Sequence, residues 1–474
     1  MDARMDAQMN ARMDASTPGR AGPRPYDPAY DPLVSPPGQG QDYAPTYWVA
    51  TAGPPPQDDG PVNGDMEVDV AVVGSGFTGL SAALTLARDY GVRAVVLEAN
   101  RAVWGCTSRN GGQGQNASGR LYRSQWIQRW GLDTARRLDA EIREGFEYWK
   151  SLVAQVDCDA QPGGHLYTAH RQKKMAFLEN ESRVMREVFG YDTRMLSKDQ
   201  LRERYVDDHE AVGALLEPDG VGVHPLKLAY GYLRQARALG ASIHPSSPVL
   251  GWRAQNGAYL LQTPGGTVRA RRVAFATGGY TAQGVNPLLD NRIMPVLSNS
   301  LVTRALSPAE LEAAGLKSTV FITDTRTLRF YYRLLPDGRV QIGSRSAVHG
   351  ADAQNPRHLA LLRAGLVRKF PSLRDVDVDY SWWGWVDVSH DMMPRVTQPD
   401  PAQQVYYAFG YGGNGVSFSA HAGRRLAQRL MGQDGLKWDL PIYDSPLPGH
   451  LFAPFRRLGQ SLLYRWYYLR DEML

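Results

Sequence analysis

The sequence predicts an α/β protein in which a Rossmann-like dinucleotide-binding domain is assembled from separated segments. It is joined to an α+β domain with a mixed or antiparallel sheet. Three observations carry that expectation. A β-branched run meets three glycines and resumes as a helix-prone stretch near residue 75. A buried strand about two hundred residues later ends in Ala276-Thr277-Gly278-Gly279, and a third glycine cluster opens a helix after Phe409.

The first marker reads Val68-Asp-Val-Ala-Val-Val73, then Gly74, Ser75, Gly76, Phe77, Thr78 and Gly79, then Leu80 to Arg88. Gly74 takes the turn, Gly76 admits a pyrophosphate against the backbone, and Gly79 lets the helix lie close on the strand. Phosphates then sit on free N–H groups at the helix start. The next strand, Ala94 to Glu98, ends in a carboxylate about twenty residues past the glycines, placed for a ribose diol, with Ala99 after it. The motif alone is weak, but strand, helix and acid agree.

The segment Gly105-Cys-Thr-Ser-Arg-Asn-Gly-Gly-Gln113 has too many small residues for a helix and too few apolar ones for a strand. Read as a loop, it offers Ser108, Arg109, Asn110, Gly111 and Gly112 to a phosphate or a ring edge; a solvated turn is the alternative. Val249, Thr277 and Gly278 are placed in the same site. In the third marker, Gly413, Asn414, Gly415 and Val416 open a long helix that runs on through Leu430. A ring that becomes anionic on reduction, as a flavin does, is stabilised by such a terminus.

At 474 residues the chain exceeds one typical core. The expected division is a disordered leader over 1–45, the nucleotide-binding domain over 46–155, 216–290 and 382–474, and the second domain over 156–215 and 291–381. The methionine repeat at the start has too few apolar side chains to offset the entropy of ordering, whereas Tyr47-Trp48 suits an anchor on the domain surface. Helical patterns cover 129–156, 170–189 and 225–239, and Ser197 caps another helix. In the second domain the turn Pro336-Asp337-Gly338 joins two strands. Alternation sets Arg329, Tyr331 and Arg333 on one strand face, and Phe330, Tyr332 and Leu334 on the other, without settling which meets the core.

The formal charge of +5 is spread along the chain, which gives no basis for nucleic acid as a partner. Two cysteines are too few for a disulfide framework. No apolar run approaches a membrane span and no secretory signal layout is present, so the cytoplasm is the expected compartment.

With the three markers in place, the chain resembles the D-amino-acid oxidase-like FAD-dependent oxidoreductases, the family of glycine and sarcosine oxidases. Within it, the nearest resemblance is to the group acting on gamma-glutamylated polyamines. The likeness rests on Tyr47-Trp48, Gly74 to Gly79, Gly105 to Gln113, Ala276-Thr277-Gly278, Trp383-Gly384 running to Asp391 and Pro394, and Gly410 to Gly415. Cys106, Thr107 and Ser108 depart from the family's Ala-Ser-Gly, and Asn414 replaces its histidine.

The resemblance implies noncovalent FAD, with Cys106 the candidate for any covalent link, and a small-molecule amine as substrate. It implies oxidation of a C–N bond by hydride transfer to flavin N5, and hydrolysis of the imine to aldehyde plus amine. Oxygen, a quinone or a carrier protein takes the electrons. Tyr331, Arg333, Trp383 and Trp385 are the candidates for the substrate cavity, the tryptophans also suiting packing between domains. The competing readings are a D-amino-acid or glycine-type dehydrogenase, and a flavin-binding sensor without turnover. Near the C-terminus, Phe455, Leu458, Leu462, Trp466 and Leu469 share a helix face. That face suits an acidic membrane, but docking on the FAD-binding domain is the expected placement.

Overall fold

The computed structural model describes residues 23–433, 435, 436 and 438–473. The methionine repeat lies outside the described residues. Strand β1 (Met66–Val73) becomes fully buried over its last four residues and feeds helix α1 (Phe77–Tyr90), which Gly91 ends in the left-handed conformation. β1 pairs in parallel with β2 (Val95–Leu97) on one side and with β3 (Gly266–Phe275) on the other, and β2 continues to Ser242–His244. β3 is long enough to serve two partners on its far side. Its first half pairs antiparallel with Ala258–Thr263, and its last residues pair in parallel with Val405–Phe409. The 405–409 strand leads through Gly410 to Asn414 into α2 (Gly415–Leu430), which packs on α1. Strands distant in sequence thus bring all three glycine clusters to one end of one sheet.

The second sheet is organised by β4 (Ile293–Thr303), β5 (Tyr331–Leu334) and β6 (Val378–Ser389). Its order is β6, β4, Val340–Ser344, β5, Phe321–Asp324, His165–Ala169, Gly213–Glu217, Arg194–Ser197. All its pairs are antiparallel except Phe321–Asp324 with His165–Ala169. Phe330 and Tyr332 join Leu362, Leu366 and Phe370 in a buried cluster, so that side of β5 is core. Arg329 and Tyr331 face the other way.

Three expectations are corrected. Residues 382–389 belong to β6 and hence to the second sheet, because Trp382 to Ser389 continue its pairing with β4. The described part of the leader is packed rather than loose: Tyr30 is buried and stacks on Tyr280, and Asp31 pairs with Arg457 at 2.7 Å. The C-terminal helix α3 (Arg456–Glu472) does not dock by its apolar face. Its buried residues are Gln460 and Asp471. It is held by polar contacts to the leader and to the loop after Asp324, while the predicted apolar face points outward. The helix is amphipathic as expected, and the polar side found the partners.

Candidate active site

Backbone proximity builds the first cavity. Gly74 has φ +105, and a Cβ there would lie 2.6 Å from the Ala276 carbonyl oxygen, so β1 and β3 meet edge to edge only with glycine. A Cβ on Gly79 would overlap the Gly74 carbonyl, which is how α1 starts directly beneath the turn. Neither Gly76, before α1, nor Asn414, before α2, makes a side-chain capping bond. Two helix starts therefore border the same cavity, and at the first of them the Phe77 N–H is taken by the Thr107 hydroxyl at 3.2 Å.

Glu98 stands at the end of β2 on the cavity wall. Its carboxylate accepts from the Ser75 N–H at 3.0 Å, the Ser75 hydroxyl at 2.7 Å and the Asn100 N–H at 3.1 Å. Burial nevertheless raises its pKa. These features fit a dinucleotide: glycines where phosphates need the backbone, two helix starts on one cavity, and a fixed carboxylate where a ribose needs an acceptor.

The second cavity lies beyond the first. Cys106, Asn110, Val386, Gly413 and Val416 line both. Its walls include Tyr331, whose hydroxyl contacts Ser298 Oγ at 3.0 Å and Ser300 Oγ at 2.8 Å. Arg120, Arg329 and Arg345 also line it. Burial pushes the Arg120 guanidinium well below its usual pKa, and the neighbouring charges of Arg345 and Arg329 add to that. Burial likewise lowers Arg345, although Tyr464 works the other way. At Arg329, Tyr167, Tyr122 and Asp324 outweigh burial, and its pKa is raised. None of the three makes an ion pair among the described residues. The carboxylates in the same cavity are engaged elsewhere, Glu217 with His165 at 2.6 Å and Glu181 with Ser124.

The predicted cofactor residues divide into three groups. Gly74, Gly76, Phe77, Thr78, Glu98, Ala99, Asn110, Val249, Thr277, Gly278, Gly413, Gly415 and Val416 line the first cavity. Ser75, Gly79, Ser108 and Gly112 do not, and act from behind it. Ser75 fixes Glu98, the Ser108 hydroxyl donates to the Trp104 carbonyl, and Gly112 passes the Val223 carbonyl too closely for a side chain. Arg109 and Gly111 belong to the second cavity. The Arg109 guanidinium lies 4.0 Å from the Trp104 ring centroid and keeps Nε and Nη2 without partners. Asn414 lines the second cavity, but its N–H already donates to the Tyr411 carbonyl, so it is not free for a ring.

Three of the four predicted substrate residues are displaced. Trp383 and Trp385 lie on the face of β6 away from both cavities, where their indole N–H groups donate to Pro28 and Tyr30 carbonyls of the leader. Gly384 and Val386, between and after them, form the wall instead. Arg333 is buried one step past the cavity, donating to the Val223 carbonyl at 2.7 Å and propping the 110–113 loop. Tyr331 is in place.

Sequence reasoning missed Asp387, which lines the first cavity. It accepts the Gly410 N–H at 2.6 Å, and burial pushes its pKa up to about 6. Tyr30 and Gly38 of the leader also line this cavity. The Pro, Gly and Tyr density there was the available signal.

A nucleotide cradle opening onto a small-molecule cavity is the arrangement of an FAD-binding oxidoreductase. The chain belongs to the family described as FAD dependent oxidoreductase, which matches residues 69–429. It is similar to gamma-glutamylputrescine oxidoreductase of Escherichia coli (strain K12), 33% identical over 443 residues, covering 91% of this chain and 99% of that one. It is also similar to sarcosine oxidase subunit beta of an Arthrobacter species, at 25% identity over 79% of this chain and 89% of the other. Among solved structures, glycine oxidase from Geobacillus kaustophilus shares the fold with a TM-score of 0.67 at 20% identity, over 81% of this chain and all of that one. The chain is thus an FAD-dependent amine or amino-acid oxidoreductase. No helix among the described residues is long and apolar enough to cross a membrane.

Proposed function

We propose that the protein oxidises the free amine of a carboxylate-bearing amine, with a gamma-glutamylated polyamine as the leading substrate. The observation that carries this is the group of three arginines in the second cavity, close enough to repel one another and without an ion pair among the described residues, Arg120 and Arg345 having no supporting carboxylate. An amino-acid head group supplies the missing anion, and charge-assisted bonds to guanidinium are the strong ones. The kinship with gamma-glutamylputrescine oxidoreductase supports an amine carried on a glutamyl head.

Gly74, Gly76, Glu98 and the α2 start would hold noncovalent FAD, which would supply a hydride acceptor for the amine-bearing carbon, with oxygen, a quinone or a carrier protein as the final electron acceptor. The chain supplies the rest. Tyr331, Gly384 and Val386 bound the space in which the substrate carbon is held. The α2 start supports negative charge at the ring edge, and the arginines hold the other end of the substrate. Water then hydrolyses the released imine to aldehyde and ammonia.

A second reading has one observation in its favour. A Cβ on Gly413 would lie 3.3 Å from Arg345 Nη2, so one guanidinium stands beside the seam itself. That placement suits a short amino acid whose carboxylate and amine are neighbours. Anaerobic bleaching of the yellow protein separates the readings. Gamma-glutamylputrescine should bleach it quickly, putrescine slowly, and glycine or D-amino acids hardly at all. Bleaching by amino acids alone overturns the proposal, and none by any amine favours a sensor.

A further inference from the structure

We propose that α3 seats the holoenzyme on an anionic lipid surface, lying along the headgroup region with its apolar face toward the acyl chains. The starting point is an inverted attachment. A surface helix of a globular protein normally buries its apolar stripe and shows its polar one. Here Phe455, Leu458, Leu462 and Trp466 are 65%, 61%, 57% and 50% exposed, and Leu469 continues the same face.

The inversion is built in by named contacts at both ends of the helix. Near its start Arg457 pairs with Asp31 at 2.7 Å, donates to the Pro295 carbonyl at 3.1 Å and lies over the Trp385 ring. Near its end Asp471 accepts the Thr327 N–H at 2.5 Å, and Glu472 pairs with Arg326 at 2.6 Å. Rotating the helix to bury its leucines would break both clamps.

Composition and charge say what covers the face. Trp466 gives it an amphipathic aromatic of the kind that settles at a headgroup boundary. Arg465 stands exposed on the flank with no ion pair among the described residues, and Arg456 is held by the uncharged Asn291 and Gln283. Arg171 reaches the Arg470 carbonyl, adding positive charge at the far end. In a two-fold pair of this face with a second copy, those arginines would meet like charge. An anionic bilayer instead neutralises them while taking up the apolar stripe.

The test uses full-length holoenzyme sedimented with vesicles of phosphatidylcholine alone or containing phosphatidylglycerol. Binding to the anionic vesicles should exceed binding to the neutral ones by about tenfold and weaken with added salt. The double variant Leu462→Glu, Trp466→Glu should lose about tenfold in vesicle binding. Its FAD content, melting temperature and amine turnover in solution should be unchanged, since both side chains are exposed. Failure of the holoenzyme to sediment with either vesicle, or undiminished binding of the double variant, overturns the proposal. So does a lipid-free dimer that the same substitutions dissolve, which assigns the face to a second copy.

Discussion

The molecule holds two groups of buried cations on opposite sides of the second sheet, and they are solved in opposite ways. In one, Arg326 bonds Asp324 at 2.6 Å, Glu210 at 2.7 Å and Glu472 at 2.6 Å, and Lys369 lies within 3.3 Å of Asp208, Glu210 and Asp324. In the other, Arg120, Arg329 and Arg345 border a cavity without an ion pair, and of the three only Arg329 is supported by a nearby carboxylate, Asp324. The first group closes on itself and supports structure. The second is left open, and an open buried charge costs the fold stability until something binds it. Arginine burial alone therefore does not mark a site; the missing counter-charge does.

The largest effect should come from breaking the closed group. Lys369→Met leaves buried Asp208 without a cation, Arg326 still holding Glu210 and Asp324, and is expected to destabilise by about 3–5 kcal/mol, read as a lowered denaturation midpoint. The same group sets an acid limit. The cations around Glu210 overcome the effect of burial and hold its pKa down to about 2, against an ordinary 4.5. A lowered carboxylate contributes stability that is present above 4.5 and lost as pH falls toward 2. Acid unfolding of the wild type should accordingly fall in that window, and a Glu210→Gln variant should show less of it.

Opening the comparison from the other side, Arg345→Met removes a cation that has no partner to strand. Thermal stability should hold or rise, because burial and Arg329 both act against the charge. Binding should suffer: losing one charge-assisted bond of about 1.5–3 kcal/mol raises KM for gamma-glutamylputrescine about 10–100-fold. Putrescine, which lacks the carboxylate, should be unaffected. Equal losses for both amines would remove the open group from substrate recognition.

The nucleotide cradle was legible because it is local. Gly74 to Gly79 and Glu98 lie within one strand–helix–strand unit, where spacing alone fixes who meets whom. The open arginine group was not, since Arg120, Arg329 and Arg345 come from three loops and strand ends that only the folded second sheet brings together. Trp383 and Trp385 show a subtler limit. Alternation correctly set both on one face, but β6 presents its glycine side to the cavity and its indoles to the leader. Which face is which depends on what covers the strand, and that partner lies more than three hundred residues upstream. Likewise, amphipathic spacing was right for α3, while the sign of its attachment was set by Asp31, Arg326 and Thr327.

Asp387 sharpens the comparison by adding one buried anion beside the cradle. Burial outweighs its backbone hydrogen bonds and lifts its pKa from 3.8 to about 6. An acid raised on folding has its full stability below 3.8 and loses it as pH climbs toward 6, because the unfolded chain gives up the proton first. Asp387→Asn should flatten the melting temperature across that interval. It should also speed substrate-driven flavin bleaching above pH 6, where the wild type places a negative charge on the cavity wall, and leave the rate below pH 5 unchanged.

The smallest change is expected at Tyr331, even though it is the predicted substrate residue that stayed in place. Its hydroxyl lies between Ser298 and Ser300, both on β4, so its polar end is already satisfied within the sheet. What it offers the substrate is the ring, and a Cβ on Gly111 would sit 3.1 Å from it. Tyr331→Phe keeps that ring and removes a neutral hydrogen bond, worth about 1 kcal/mol to stability. KM and turnover should move by less than about threefold, against the 10–100-fold expected at Arg345, because the open group recognises charge and Tyr331 contributes shape. A large loss of turnover at unchanged KM would instead make the hydroxyl part of the chemistry, and would mean that the two serines release it when substrate is bound.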